Sequence, residues 1–322
     1  MNIILALFII LGSYSLGYGQ GVYKCGWNQT CYYSSLKEAL EKDSKEVKYL
    51  EISPSDSKAW TTTILQFKNL KALCINDSSL TEIPCSVQQL RKLQALTIKQ
   101  ASLKEFPTAI TALKRLKYLA IEGNGTQNLQ GLSCFQQLEV LHLEGGRLKT
   151  LPTVVFTLKK LKRLTVKGTA LAKVTLPTKI KSSLEVIDWR DNQLYELPST
   201  MDKLTFLRQL YLTNNELTAL PATIADLDSL QIVEVANNQL DSLPDSFLSI
   251  IGLVELDLRN NKLKDLPRIH PYEGMIEPNV EWLYKSLDVR GNAFTPTTTT
   301  ALKEYFLVSG FDREDGVKFL ID

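Results

Sequence analysis

The 322-residue chain is 44% hydrophobic and 22% charged, and its 37 Lys+Arg against 35 Asp+Glu leave a formal net charge of +2. So much apolar material with so little net charge excludes a disordered polyelectrolyte, and the near-neutral total gives no whole-molecule reason to expect a nucleic-acid partner. Leucine alone supplies 54 residues, well above ordinary usage.

The chain opens on an unbroken apolar run, Ile3 to Leu11, followed by small residues that include Gly17 and Gly19. The run is too short to span a hydrocarbon core, which needs roughly 20 residues. An apolar stretch with small residues at the −3 and −1 positions reads as a cleavable secretory signal over 1–19, although no basic residue precedes it. A buried N-terminal strand is the alternative. No later segment is apolar enough to cross a membrane, and no Cys follows the run to carry a lipid, so a secreted or periplasmic protein beginning near Gln20 is expected. Cys25 and Cys31 bracket a short loop just beyond, where an exported chain can close a disulfide; two free thiols are the other reading. Cys74, Cys85 and Cys134 sit inside the repeats described next and are expected to be mostly buried small hydrophobes. Ser34 or Ser35 can cap a helix running to about Lys42, with Glu38 placed for a capping box. Residues 20–46 thus read as an N-terminal cap.

From Val47 onward one pattern recurs. Leu184, Ile187, Trp189, Asn192, Leu194, Leu197-Pro198, Met201 and Leu204 spell L-x-x-L-x-L-x-x-N-x-L-x-x-L-P-x-x-I-x-x-L, and the frame restarts at Leu207, Leu230 and Leu253. Earlier frames begin at Val47, Leu70, Leu93, Leu116, Leu138 and Leu161, and a last one begins at Tyr284. The period is 23 residues, with one spacing of 22 and a final one of 31. This pattern closely resembles the leucine-rich repeat family over residues 47–294, and its Leu-Pro-x-x-Ile-x-x-Leu ending resembles the subclass of Ras-suppressor-like and many bacterial repeat proteins. The segment Tyr33 to Leu40 leading into Val47 is similar to the capping helix of exported bacterial members. The resemblance implies an α/β solenoid of eleven repeats, with a curved parallel β-sheet on the concave face and short helical or irregular turns on the convex face. It also implies the usual family role, recognition of a protein partner.

The spacing itself supplies the physics. Apolar positions 4 and 6 alternate with polar 3, 5 and 7, so a short strand buries one face and shows the other. Asn at position 9 sits at the turn, where an internal amide can satisfy backbone groups. Asn124, Asn192, Asn215, Asn238, Asn261 and Asn292 keep this ladder, while Ser55, Ser78, Ala101, Gly146 and Thr169 interrupt it, so the C-terminal half reads as the regular one. The insertion 268–283 replaces the usual short turn of the tenth repeat and reads equally as function or decoration. Residues 295–322 form a C-terminal cap, with a helix expected over Ala301–Ser309, stopped by Gly310, and a closing strand over Val317–Ile321.

Stacking aligns positions 3, 5 and 7 into rows on the concave face. Tyr118, His142, Arg163, Asp188, Arg190, Tyr211, Glu234, Asp257 and Arg259 are the candidate partner-binding residues, because exposed Tyr and Arg on a rigid sheet are typical hot-spot material. Ion-pair ladders, Asp188 with Arg190 and Asp257 with Arg259, are the plainer account of the same residues. A second surface is a Lys/Arg stripe just before the strands, Lys114, Arg115, Lys117, Lys159, Lys160 and Lys162 among it, which suits a polysaccharide, a glycan or another anionic surface. Catalysis finds no support: there is no Gly-rich phosphate loop and no nucleophile elbow, His142 and Asp188 stand two repeats apart, and no cofactor or metal cluster is expected with two His in the chain. A non-enzymatic binding module is therefore expected. Finally, the net charge is a cancellation. Residues 91–183 hold 17 Lys+Arg against 4 Asp+Glu, a net of +13, and residues 184–288 hold 8 against 18, a net of −10. A solenoid keeps these segments apart in space, which suits a dipolar partner or head-to-tail self-association.

Overall fold

A computed structural model describes residues 32–56, 60–103, 105–123, 129, 131–181, 183–250, 252–267, 286–308 and 318–322. The signal segment, Cys25, Cys31 and the insertion 268–283 lie outside the described residues. Among these residues thirteen strands stack in strict chain order into one sheet, and every pairing is parallel. β1 (Tyr32–Tyr33) belongs to the front end. It is followed by β2 (Tyr49–Ile52), β3 (Ala72–Asn76), β4 (Ala95–Ala101), β5 (Tyr118–Gly123), β6 (Val140–Glu144), β7 (Arg163–Lys167), β8 (Val186–Asp188), β9 (Gln209–Tyr211), β10 (Ile232–Glu234), β11 (Glu255–Asp257) and β12 (Ser286–Asp288), one per repeat, and β13 (Lys318–Leu320) closes the stack. The helices are α1 (Leu36–Leu40), α2 (Trp60–Thr63) and α3 (Pro296–Val308).

The register follows the repeat. Position 3 faces position 3 throughout, as in Val186 opposite Gln209 and Glu255 opposite Ser286, so the long spacing before β12 leaves the stack in phase. The pattern residues fill a continuous core: Leu184, Ile187, Trp189, Leu194, Met201 and Leu204 are each no more than 3% exposed. No repeat can enclose this face alone, so each depends on its neighbours.

On the convex side the Leu-Pro step governs the backbone. Pro84, Pro107, Pro152 and Pro221 hold extended ψ values, and each is followed at once by a 3-10 turn (Cys85–Gln89, Thr108–Ala112, Thr153–Thr157, Ala222–Asp226). Proline fixes φ near −65° and has no N–H to leave orphaned at a helix start, so it sets the entry angle of each turn.

Strand length goes with position 9 in every repeat but that of β5, which runs six residues before Asn124, a residue outside the described ones. In the four regular repeats before β12 the buried Asn donates to the carbonyl of its own position 6: Asn192 to Trp189, Asn215 to Leu212, Asn238 to Val235 and Asn261 to Leu258, at 2.8–3.0 Å. The same amide bridges to the preceding repeat, donating to the carbonyl of Val166, Trp189, Leu212 or Val235. This pulls the chain out of the sheet, and β8 to β11 are three residues each. Repeats whose position 9 is Ser, Ala, Gly or Thr keep strands of four to seven residues. Thr169 still joins the ladder, its hydroxyl donating to Asn192 Oδ1 at 2.7 Å. Between β4 and β5 the register slips by one residue, a bulge where Gly123 has φ +146° and a Cβ would run into the Ala101 carbonyl oxygen.

The ends depart from expectation in detail. Ser35 is the N-cap of α1, accepting from Glu38 N at 3.3 Å, while Glu38 reaches back to Ser34 N at 3.2 Å, but the helix stops at Leu40 rather than Lys42. α3 begins five residues before the expected Ala301. Thr295 Oγ1 accepts from Thr298 N at 3.1 Å, and Pro296 occupies the first helical position, where its missing N–H costs nothing. Ser309, Gly310 and Val317 lie outside the described residues. Of the three repeat cysteines only Cys74 is buried; Cys134 is half-buried and Cys85 exposed, because it opens a convex turn directly after Pro84.

Candidate functional site

The concave face is less solvated than an alternating pattern implies. Along position 5, Cys74, Ala120, Thr165, Asp188 and Asp288 are buried, and His142, Tyr211, Glu234 and Asp257 are half-buried. Strands lie about 4.8 Å apart, and the side chains at 3 and 7 shade the row between them. Polar groups placed there must therefore find partners.

They do so within the strand and across it. Arg190 donates from Nε and Nη2 to both oxygens of Asp188 at 2.9 and 2.7 Å, and Arg259 does the same with Asp257 and Arg290 with Asp288. An i, i+2 pair on a strand projects from one face, which makes this bidentate fork possible. Arg190 also lies 5.0 Å over the Tyr211 ring and 3.8 Å from Glu234. Its charge is thus held from three sides, and the hydrogen-bonded Asp188 carboxylate holds its pKa above the usual arginine value. Tyr211 donates to Gln209 Oε1 at 3.3 Å. Burial, with the Glu234 carboxylate beside it, pushes its phenol up to about 12, so it remains neutral. Arg259 continues the network to Asp288 at 3.4 Å.

Asp188, Arg190, Tyr211 and Glu234 thus form one cluster, and Arg163 faces it from β7 through its charge interactions with Tyr211 and Asp188. Asp257 and Arg259 extend it toward β12. His142 lies apart, hydrogen-bonded to Glu144 at 3.2 Å, a contact that lowers the pKa of the Glu144 carboxyl. Tyr118, on β5, is roughly 30 Å from β11 at one strand per repeat. Asp188 is only 7% exposed; it offers little area of its own and serves to fix Arg190.

Glu234 is the one carboxylate in the cluster without a bidentate partner. Burial raises its pKa despite the attraction of Arg190, and Asp257, Asp188 and Glu255 push it further up. A carboxyl whose pKa is raised on folding favours the folded state while protonated, and that contribution is lost as pH rises from the unfolded value through the raised one. Glu234→Gln is therefore expected to melt at a higher temperature than the native chain at pH 7 and to lose the difference by pH 4. Thermal unfolding of both at the two pH values checks this; an equal gap at both would exclude Glu234 as its source.

A row that sequence reasoning missed runs beside this one. Asp191, Asn214, Asn237 and Asn260, at position 8, all adopt φ between 53° and 60°. Their side chains form an exposed chain, Asn214 to Asp191 at 2.5 Å, Asn237 to Asn214 at 2.7 Å and Asn260 to Asn237 at 2.7 Å. The signal was available in the doublets Asp191-Asn192, Asn214-Asn215, Asn237-Asn238 and Asn260-Asn261, since Asn and Asp tolerate the left-handed region that other side chains avoid. Gly291 ends the row, where a Cβ would collide with Asn260 Oδ1.

The basic stripe occupies the edge where the strands begin. Lys114, Arg115, Lys159, Lys160 and Lys162 are exposed and Lys117 half-buried. Lys117 pairs with Glu139 and Lys162 with Glu185, each at 2.8 Å. Among the described residues no group of three or more His, Cys, Asp or Glu could hold a metal ion, and no helix is long and apolar enough to cross a membrane.

No protein-family model and no curated protein matches the chain. Solved structures do match in shape. An internalin (inlF) from Listeria monocytogenes superposes with a TM-score of 0.54 at 14% identity, over 70% of this chain and 70% of that one. A TDR receptor gives 0.58 at 21% identity over 77% of this chain, and the leucine-rich repeat ectodomain of the plant receptor kinase GASSHO1/SCHENGEN3 from Arabidopsis thaliana gives 0.53 at 23% over 77%. The chain spans 42% and 35% of those two receptors' lengths. The periodic core, the in-register parallel sheet and these likenesses agree: the chain folds as a leucine-rich repeat solenoid.

Proposed function

We propose that the chain is an exported, non-enzymatic protein-recognition module that engages its partner on the concave face between β7 and β11. The observation that carries this reading is the Asp188–Arg190–Tyr211–Glu234 cluster. Its Tyr and Arg side chains are held rigid before any partner arrives, so little rotamer entropy remains to be lost on binding, and both types are enriched at the centres of interfaces. The solved ectodomain of GASSHO1/SCHENGEN3 is itself in complex with CASPARIAN STRIP INTEGRITY FACTOR 2, which supports a ligand-recognition role for a solenoid of this kind. Export rests on the apolar run and small residues of 1–19, and mass spectrometry of the mature N-terminus, expected near Gln20, tests it.

The test of the face is affinity capture with Tyr211→Ala/Glu255→Gln beside the native chain. These positions leave the Asp188–Arg190 and Asp257–Arg259 forks in place, so the fold is kept. Loss of the captured protein by at least tenfold, the effect of about 1.4 kcal/mol, is expected. Capture of the same proteins in undiminished amount would refute the assignment.

A further inference from the structure

Positions 22 and 23 of each repeat turn the chain toward the next strand, and in the N-terminal half they are repeatedly cationic. Arg91, Lys92, Lys114, Arg115, Lys159 and Lys160 are all exposed on this edge. Lys92 donates to Asn69 at 2.7 Å and Lys160 to Gln137 at 2.5 Å, each reaching back to the same position of the preceding repeat. Both acceptors are uncharged, so neither ammonium is neutralised. Among the described residues, Arg91, Lys114, Arg115 and Lys159 form no ion pair. The acids on this edge, Glu139 and Glu185, are taken by Lys117 and Lys162. Six uncompensated charges thus lie along three repeat steps, roughly 15 Å at strand spacing. The first two pairs stand about 5 Å apart and the third about 10 Å further on, beyond the uncharged Gln136-Gln137, distances comparable with the Debye length of about 8 Å at physiological salt, so their fields overlap along one positive edge.

We propose that this edge binds an extended anionic polysaccharide, one that presents charged groups in single file along the stacking direction. The cations form a row and converge on no pocket, which suits a polymer rather than a small anion. The exposed aromatic on this row, Phe206, stands two repeats beyond Lys160, so no aromatic side chain alternates with the six cations to stack bases, as single-stranded nucleic acid requires. The edge is made of turns, with no helix or strand pair to enter a duplex groove. This surface is separate from the concave cluster, so a protein and a glycan could be held at once.

The probe is a heparin oligosaccharide titrated into the full chain at several salt concentrations. Lys114→Glu/Arg115→Glu/Lys159→Glu reverses the ridge at positions whose side chains form no hydrogen bond or ion pair among the described residues. Arg147→Glu/Lys149→Glu/Lys179→Glu reverses three equally exposed cations of the same basic segment away from this edge. The ridge variant is expected to bind at least about 100-fold more weakly at 50 mM salt, with a log–log salt slope smaller by about three. The other variant is expected to stay within about threefold, both keeping the native circular dichroism. Equal weakening of the two, or native affinity in the ridge variant, would overturn the site. Tighter binding of a DNA duplex than of heparin would overturn the choice of ligand.

Discussion

Replacing Trp189 with alanine will destabilise the solenoid by about 3–5 kcal/mol, whereas phenylalanine will cost less than half of that. Position 6 of the repeats otherwise holds Ile, Leu or Val, and Trp189 fills this place with its side chain fully buried, at 0% exposure. Alanine would remove the indole and leave a void that a stack locked on both sides cannot close. Phenylalanine keeps most of the packed volume. It also removes a liability, because the indole Nε1 is buried with no hydrogen-bond partner in the structure, and an unsatisfied donor carries a desolvation cost of about 1–3 kcal/mol. Chemical denaturation of the three proteins checks the ordering. Equal losses for alanine and phenylalanine would mean that the nitrogen, not the volume, matters at this site.

The second large effect separates two neighbouring asparagines. Asn238→Ala will cost about 2–4 kcal/mol and Asn237→Ala about 1 kcal/mol. Asn238 is 7% exposed, and its Oδ1 accepts from Leu217 N at 3.0 Å, the hydrogen bond that satisfies this buried N–H. The carbonyls that its amide serves keep other donors: Leu212 O accepts from Asn215 and Val235 O from Asn261. The orphaned N–H is therefore the main loss. Asn237 is exposed and holds φ 53°, so alanine there loses solvent-facing hydrogen bonds and meets the left-handed penalty, while Asn237→Gly, free of that penalty, will be close to neutral. Thermal melts of the three variants test this; equal losses at 237 and 238 would refute the division into an internal and an external row.

Much of the architecture was legible in the sequence because one interval dictates it. A 23-residue period in Leu, with polar positions 3, 5 and 7 between, leaves a stacked parallel sheet as the arrangement that buries every repeat. The helix start at Pro296 is also written there, in Thr295-Pro296, although helix propensity alone favours the Ala301–Ser309 segment. What periodicity does not carry is depth. Position 5 alternates as a surface position should, yet Asp188 and Asp288 are buried, because shading by positions 3 and 7 on a concave sheet is a property of the stack rather than of the strand. The fork of Asp188 with Arg190 could be drawn as a pair from the sequence. Its coupling to Tyr211 and Glu234 could not, since those residues stand 21 and 44 positions away from Arg190 and meet only through the register.

The same register explains why the near-neutral net charge misleads. The basic segment occupies β4 to β7 and the acidic one β8 to β12, so the two signs are displayed on separate halves of the stack. The concave cluster lies in the acidic half and the cationic edge in the basic half, which places two chemically different surfaces on one rigid body.

The claim at the centre of this account is that the partner meets the concave face. A photo-crosslinking residue placed at Tyr211, compared with the same residue at the exposed convex position Lys179, tests it most directly in the native compartment. A discrete cross-linked protein from position 211 and none from 179 is the expected result. Cross-links from 179 alone would contradict the account and move the recognition surface to the other side of the solenoid.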